Sequence, residues 1–212
     1  MPGVFDLDQQ QRDLDARLVA GIERLGQALR GLLRDAARQH GMSPIQLQLL
    51  VQIGQRNDGE SRVGALAERF DITAPTVSDA VAALVDKGLV RRSPSQHDGR
   101  MVRLTPTEEG ARVARLTETW ADPLLRLLEP VPRSAKRAAF DVVSLLIAEL
   151  HEAGVIGLAR MCRTCRHFRS QTTVETPYWC DLLKLPLRSE DLRLDCPEHE
   201  EAAAEVDVEE RR

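Results

Sequence analysis

The chain has 212 residues, of which 42% are hydrophobic, 29% charged and only 3% aromatic. This composition is typical of a soluble globular protein, and the shortage of aromatic residues favours aliphatic helix packing over a β-sandwich or barrel. No run approaches the length of a membrane span, and the polar, acidic start lacks the apolar segment of a signal peptide. We therefore expect a mainly α, cytoplasmic protein that does not enter a membrane.

The formal net charge of -4 is concentrated at the end of the chain. The last sixteen residues contain seven acids and two arginines, and the remainder carries 27 basic against 26 acidic side chains. Any affinity for DNA would therefore depend on local basic clusters, because the overall charge neither supports nor excludes it.

Apolar residues at helical spacing predict one long helix from Leu7 to Gln39. His40 and Gly41 signal its end. Ser43-Pro44 then offers an N-cap and a first-turn proline for a second helix from Ile45 to Gln55.

The next segment has the order helix, turn, helix and two-stranded hairpin. The predicted elements are residues 63–70, 74–87, 89–93 and 101–105. Thr73 can cap the second of these helices, and Gly88 can end it in the left-handed conformation. The polar loop 94–100 between the strands is typical of a wing. This order describes a winged helix-turn-helix domain.

Two more helices are predicted after the wing. Thr107 can cap the first, although Gly110 departs from the ideal capping box, and we expect Pro123 to kink it. The second runs from Ser134 to about Ala153, where apolar residues again recur at helical spacing.

Four stretches closely resemble the MarR family (multiple antibiotic resistance regulators): residues 66–78, 84–92, 98–100 and 102–105. The resemblance extends over roughly residues 10–150. It implies a homodimer with intertwined terminal helices and with two recognition helices in successive major grooves of a pseudopalindromic DNA operator. The predicted domains are then an N-terminal dimerisation helix (1–42), a winged helix-turn-helix domain (43–106), C-terminal dimerisation helices (107–153), a four-cysteine module (154–200) and an acidic tail (201–212).

Nine side chains are candidates for DNA contact: Thr73, Thr76, Ser78 and Asp79 on the second helix of the motif, and Arg91, Arg92, Asp98, Arg100 and Arg103 in the wing. The helical group lies near a helix N-terminus, where backbone amides also favour phosphate. The resemblance to the family's Asp-x-Arg wing motif implies that Asp98 restrains Arg100, which enters the minor groove. The other arginines are candidates for phosphate contact, although an arginine pair at a strand end is more commonly only solvated.

All four cysteines fall within one 35-residue window: Cys162, Cys165, Cys180 and Cys196. In a cytosolic chain such clustering indicates metal or redox chemistry rather than structural disulfides. We expect a tetrathiolate zinc site, with a [4Fe–4S] cluster as the alternative and reactive or disulfide-forming thiols as a third possibility. Bound metal would contribute folding free energy to so small a segment.

Side chains of three kinds surround these cysteines in the sequence. The thiolate charge is expected to be compensated by four arginines: Arg160, Arg163, Arg166 and Arg169. An apolar shell is expected from Phe168, Tyr178 and Trp179. Two histidines, His167 and His199, are expected to be either alternative ligands or, more simply, exposed surface residues.

The leading hypothesis is an operator-binding regulator, most simply a repressor, whose DNA affinity responds to the occupancy or redox state of the cysteine site. In a first alternative the zinc is purely structural and a small molecule bound beside the dimerisation helices is the signal, as the resemblance implies. In a second, the chain is an iron–sulfur redox protein that binds no operator. The sequence contains no nucleophile, base or phosphate-binding motif that supports catalysis, so we do not expect an enzyme.

Overall fold

The computed structural model of the chain describes Gly3 and residues 5–55, 61–94, 102–170 and 176–202. Contacts between residues divide the chain into two units. The first contains residues 1–67 and 72–127, and the second contains residues 68–71 and 128–212. None of the described helices is long and apolar enough to cross a membrane.

Seven helices and one hairpin precede residue 130 in the described part of the chain. The helices are α1 (Leu7–Arg12), α2 (Leu14–Gln39), α3 (Pro44–Gln55), α4 (Val63–Phe70), α5 (Ala74–Asp86), α6 (Glu108–Thr117) and α7 (Asp122–Leu128), and the strands are β1 (Val90–Pro94) and β2 (Val102–Pro106). This order confirms the mainly α, winged-helix fold expected from the sequence. Instead of the expected kink at Pro123, a 3₁₀ turn, Glu118–Ala121, separates α6 from α7.

The prediction of one helix from Leu7 to Gln39 is wrong at Asp13. This residue has extended backbone angles (φ -122°, ψ 124°), and its carboxylate accepts a hydrogen bond from the Asp15 N–H at 3.0 Å. Aspartate favours this N-cap geometry over the helix interior because its side chain satisfies an otherwise unpaired amide. The apolar periodicity continues across the break, which is why it does not reveal two helices.

The core of the first unit lies around α3. This helix packs against α5, α6 and β2. Side chains that are less than 2% exposed fill the space: Leu47, Leu49, Leu50, Ile53, Val77, Val81, Leu84, Val90 and Leu104. The burial of these aliphatic residues fixes α5 and the hairpin on one rigid support.

Residues 87–110 join α5, the hairpin and α6 through backbone contacts. Gly88 has φ +69°, the left-handed conformation predicted for it. The Thr107 hydroxyl donates to the Gly88 carbonyl at 2.7 Å and accepts from the Gly110 N–H at 3.0 Å, which confirms Thr107 as the cap of α6. A Cβ atom at Gly110 would lie 1.8 Å from the Leu89 carbonyl oxygen, so α6 and the start of the hairpin can meet only at a glycine.

The second unit combines a long helix with a small sheet that the sequence does not predict. Helix α8 (Arg133–Glu152) packs against two 3₁₀ turns, Cys162–Thr164 and Ser189–Asp191. The sheet is antiparallel, with the order β3 (Phe168–Ser170), β4 (Tyr178–Cys180) and β5 (Leu185–Leu187). Ala148 of α8, Ala159 and Met161 form its compact buried cluster. Such a small core makes an additional source of stability useful.

Candidate DNA-binding surface and candidate metal centre

The N-terminal part of α5 presents small polar side chains to solvent. Thr73 is the N-cap, and its hydroxyl lies 3.4 Å from the Thr76 amide nitrogen and 2.8 Å from the Thr76 hydroxyl. Thr73, Thr76 and Asp79 are exposed at intervals of three residues, whereas Ser78 is half-buried. Val77 is fully buried and anchors the opposite face in the core. The predicted helical candidates therefore lie together, with Ser78 at the margin of their surface.

The arginines of the hairpin lie on two different faces. Arg91 is opposite Thr105, its Nε donates to the Thr105 hydroxyl at 3.0 Å, and Arg103 is on the same side of the ribbon. Arg92 is opposite Leu104 and therefore belongs to the other face, although its own side chain is exposed. Asp98 and Arg100, the predicted wing-tip pair, lie outside the described residues.

All four cysteines line one cavity in the second unit. The cavity has a volume of about 30 Å³ and is partly open to solvent. The other lining residues are Phe168, Leu182, Leu183, Leu187, His167 and Glu198. The fold therefore brings together thiols that are up to 34 positions apart in the chain, in surroundings that are largely apolar.

Backbone hydrogen bonds position the thiols from three directions. Cys162 and Cys165 lie at the two ends of a 3₁₀ turn, in which the Cys165 N–H donates to the Cys162 carbonyl at 3.1 Å. Cys180 ends β4. The Cys196 N–H donates to the Arg160 carbonyl at 2.8 Å, which holds the fourth thiol near the first pair.

Arg193 contacts two of the sulfur atoms, a role that the sequence does not suggest. Its backbone N–H donates to the Cys162 Sγ at 3.2 Å, and its Nη1 lies 3.7 Å from the Cys196 Sγ. The same guanidinium pairs with Glu198 at 3.2 Å, and the Cys196 thiol donates to this carboxylate at 3.4 Å. The spacing Arg193-x-x-Cys196 is a weak sequence signal for the contact of the Arg193 side chain with Cys196. The contact of the Arg193 amide with Cys162 depends on the fold and has no sequence signal.

Burial raises the pKa of the Cys162 thiol, and the nearby Cys196, Cys180 and Cys165 raise it further, while the Arg193 amide opposes both effects. Like-charge repulsion from the neighbouring thiols therefore disfavours ionisation of Cys162. A cation in the cavity would relieve this repulsion and favour the thiolate forms.

The four arginines predicted to compensate the thiolates have other partners in the structure. Arg166 pairs with Glu200 at 2.6 Å and Arg169 with Asp181 at 3.0 Å. Arg160 donates to the carbonyls of Cys196 and Pro197. These residues support the loops around the cavity, whereas the contact with sulfur comes from Arg193.

Arg163 connects the turn between the first two cysteines to helix α8. Its Nε donates to the Ser144 hydroxyl at 2.8 Å, and its Nη2 lies 3.3 Å from the Asp141 carboxylate and 3.2 Å from the Tyr178 hydroxyl. Ser144 is fully buried, and the guanidinium carbon lies 5.3 Å from the centre of the Tyr178 ring. This cluster ties the cysteine turn to α8.

The two histidines near the cysteines have different surroundings, and neither is fully exposed. His167 lines the cavity, and its Nε2 lies 3.2 Å from the Glu200 carboxylate. His199 is not among the described residues that line the cavity. Its Nε2 lies 3.0 Å from the Thr164 hydroxyl, and burial lowers the pKa of its imidazole. Within the described residues, no group of three or more Cys, His, Asp or Glu side chains is arranged as it stands to hold a metal ion.

Comparison with known proteins shows similarity to DNA-binding regulators. A sequence profile of the MarR family matches residues 40–101. An HTH-type transcriptional regulator of Mycobacterium bovis is 32% identical over 142 residues, which cover 65% of this chain and 97% of that relative. A second HTH-type regulator, from Mycobacterium leprae, is 35% identical over 88 residues, and the match spans 60% of its length.

Solved structures share the fold at low sequence identity. The MepR–DNA complex of S. aureus superposes with a TM-score of 0.56 at 15% identity, over 62% of this chain and 97% of MepR. CouR of Rhodococcus jostii RHA1, bound to p-coumaroyl-CoA, superposes with a TM-score of 0.55 at 20% identity, over 64% of this chain and 94% of CouR. More than a third of this chain lies outside each superposition.

Proposed function

Because this chain belongs to the MarR family of helix-turn-helix transcriptional regulators, we propose that it is a homodimer that binds a DNA operator under the control of its four-cysteine centre. The observation that carries the DNA-binding part is the exposed N-terminal surface of α5. Thr73, Thr76 and Asp79 are exposed on this surface, and the opposite face of the helix is buried in the core of the first unit.

This surface has the chemistry of a major-groove reader. Threonine hydroxyls bond either base edges or phosphates, and an aspartate accepts a hydrogen bond from the cytosine amino group. The positive end of the α5 dipole adds attraction for phosphate. Arg91 and Arg103, on one face of the hairpin, suit the flanking backbone. Binding of DNA by MepR supports the same use of the fold here.

The first test is the Arg100→Ala variant. An arginine in the minor groove contributes through the groove's negative potential, so its loss should weaken operator binding about tenfold or more. Binding is measured by fluorescence anisotropy on an operator selected from genomic fragments. Arg30→Ala, which removes an exposed arginine from the middle of α2, is the matched control and should bind as the wild type does. Equal affinity of Arg100→Ala and wild type would remove the wing tip from the interface.

Two apolar stripes that are exposed in the described part of the chain support the dimer. On α2, Leu14, Leu18, Ile22 and Leu25 are 44–61% exposed at helical spacing, and on α8, Val142, Leu145, Leu146 and Leu150 are 41–47% exposed. Stripes of this kind are costly to leave in water, and a second copy of the chain buries them. The family resemblance assigns the terminal helices to dimerisation.

Arg163 gives the cysteine centre a route to the dimer. It lies between the two cysteines of the first pair and contacts Ser144 and Asp141 of α8. Filling the centre would fix the conformation of the cysteine turn and thereby of this contact. Because α8 carries one of the apolar stripes proposed for the dimer, a change in α8 would alter the pairing of the two chains, on which operator binding depends.

The Arg163→Met variant tests this route. We expect wild-type operator affinity to differ between protein with a filled centre and protein stripped by a chelator, and this difference to shrink at least severalfold in the variant while its metal content is unchanged. Arg166→Met is the control, because Arg166 belongs to the same motif but pairs with the exposed Glu200. An equal response in wild type and Arg163→Met would contradict the route.

A second candidate signal is a small molecule bound in the first unit. A partly open groove with a volume of about 360 Å³ lies between α2 and the α6–α7 segment. Trp120, His40 and Arg126 are among its lining residues, which suit an aromatic anion. The complex of CouR with p-coumaroyl-CoA supports this alternative. It is favoured if an aromatic carboxylate releases the operator from a variant that lacks all four cysteines.

A further inference from the structure

We infer that the four-cysteine cavity binds a [4Fe–4S] cluster rather than a single zinc ion. This inference rests on the proposed metal centre and specifies its occupant. It reverses the order of preference that the sequence alone supports, because the spacing of the cysteines fits either group whereas the placement of the thiols in the cavity favours the cluster.

The arrangement of the thiols carries the first step. In a tetrahedral zinc site each sulfur lies about 2.3 Å from the ion, so the four sulfurs stand about 3.8 Å apart and leave no space between them. Here all four cysteines line one cavity, and yet within the described residues no group of three or more Cys, His, Asp or Glu side chains is placed to hold a single ion. Ligands that share a cavity without converging on a point fit a larger object, and a cluster has four iron atoms, each with its own cysteine.

The cavity wall supplies the second step. Phe168, Leu182, Leu183 and Leu187 contribute apolar side chains next to the thiols. Four ligands are enough to shield a single structural ion from solvent. A cluster also contains inorganic sulfide, which is shielded from solvent by the apolar side chains around it. Solvent exposure and hydrogen bonds to sulfur set the potential of such a cluster.

The hydrogen bonds and charges supply the third step. A cluster with four thiolates carries about two negative charges in its oxidised form. The Arg193 amide already donates to Cys162, and the Arg193 guanidinium lies near Cys196. The Cys196 thiol donates its proton to the Glu198 carboxylate, and this hydrogen bond is lost when the sulfur binds iron as a thiolate. The negative charge of Glu198 is then compensated by its ion pair with Arg193.

The test is analysis of the full-length protein purified without oxygen and, if it is incompletely loaded, reconstituted with ferrous iron and sulfide. We expect about four iron and four sulfide per chain and a broad visible absorption that bleaches on reduction. Cys180→Ala should lose most of this iron. His199→Gln is the control, because this histidine lies close to Cys196 in the chain but does not line the described cavity, and it should keep the full amount.

Operator binding is measured on the same samples, so that the two proposals can fail separately. About one zinc per chain, with no uptake of iron and sulfide, would overturn the cluster and leave the regulator intact. Protein that takes up neither metal would overturn the cluster and the proposed centre together. Protein that contains the cluster but binds no DNA would support the inference and contradict the proposed function.

Discussion

Replacing Gly110 with alanine should destabilise the first unit by at least about 3 kcal/mol, a large part of the stability of an ordinary domain. The new Cβ would lie 1.8 Å from the Leu89 carbonyl oxygen and 2.7 Å from its carbon. Both are backbone atoms, so no side chain can rotate away. Helix α6 would have to retreat from the hairpin and break the bonds of Thr107 to Gly88 and Leu89.

Urea unfolding followed by circular dichroism measures this effect. Gly64→Ala is the matched control, because it also replaces a glycine in the first turn of a helix, α4, but has no atom within 4 Å of the new Cβ. It should be neutral or stabilising by up to about 1 kcal/mol. A Gly110→Ala protein as stable as the wild type would show that α6 does not approach Leu89 as described.

Leu145→Glu should convert the dimer to a monomer and weaken operator binding about a hundredfold or more. The side chain is 47% exposed in the single chain, so the substitution should cost little stability in the monomer, but in a dimer it would bury an unpaired charge. A monomer also loses the linkage of two half-site contacts, which multiplies affinity by about 10² to 10⁴.

Sedimentation velocity separates the two states. Leu194→Glu adds the same charge at a leucine of equal exposure, 47%, outside α8, and it should remain dimeric. A Leu145→Glu protein that sediments as a dimer would remove α8 from the proposed interface. Wild-type protein that sediments as a monomer would contradict the dimer altogether.

The winged helix is predictable from the sequence because its determinants are local. Thr73 and Thr107 each cap the helix that follows them, Gly88 adopts the left-handed conformation at its own position, and each has the predicted role in the structure. Aliphatic periodicity then identifies the buried face of α5. The residues of α5 that lie outside this apolar face are then expected to be exposed, so the sequence alone predicts the candidate DNA surface.

Non-local contacts are what the sequence does not reveal. In the sequence, Gly110 departs from an ideal capping box. In the structure, glycine is required at this position because the backbone of Leu89, 21 residues earlier, lies too close for a Cβ atom. Arg193 reaches Cys162 through its backbone amide across 31 positions. Arg163 looks like a neutralising charge beside the thiols and instead bonds to α8. In the second unit, the small sheet depends on pairings between short strands whose residues carry no clear alternation.

Sequence-specific binding of DNA is the property on which the proposed regulator depends. The most direct test is anisotropy titration of purified wild-type protein against a selected operator and a scrambled duplex of equal length, at low and at physiological salt. We expect two chains per operator and a preference for the operator of at least about a thousandfold at physiological salt. Equal affinity for both duplexes, or no binding even at low salt, would contradict it.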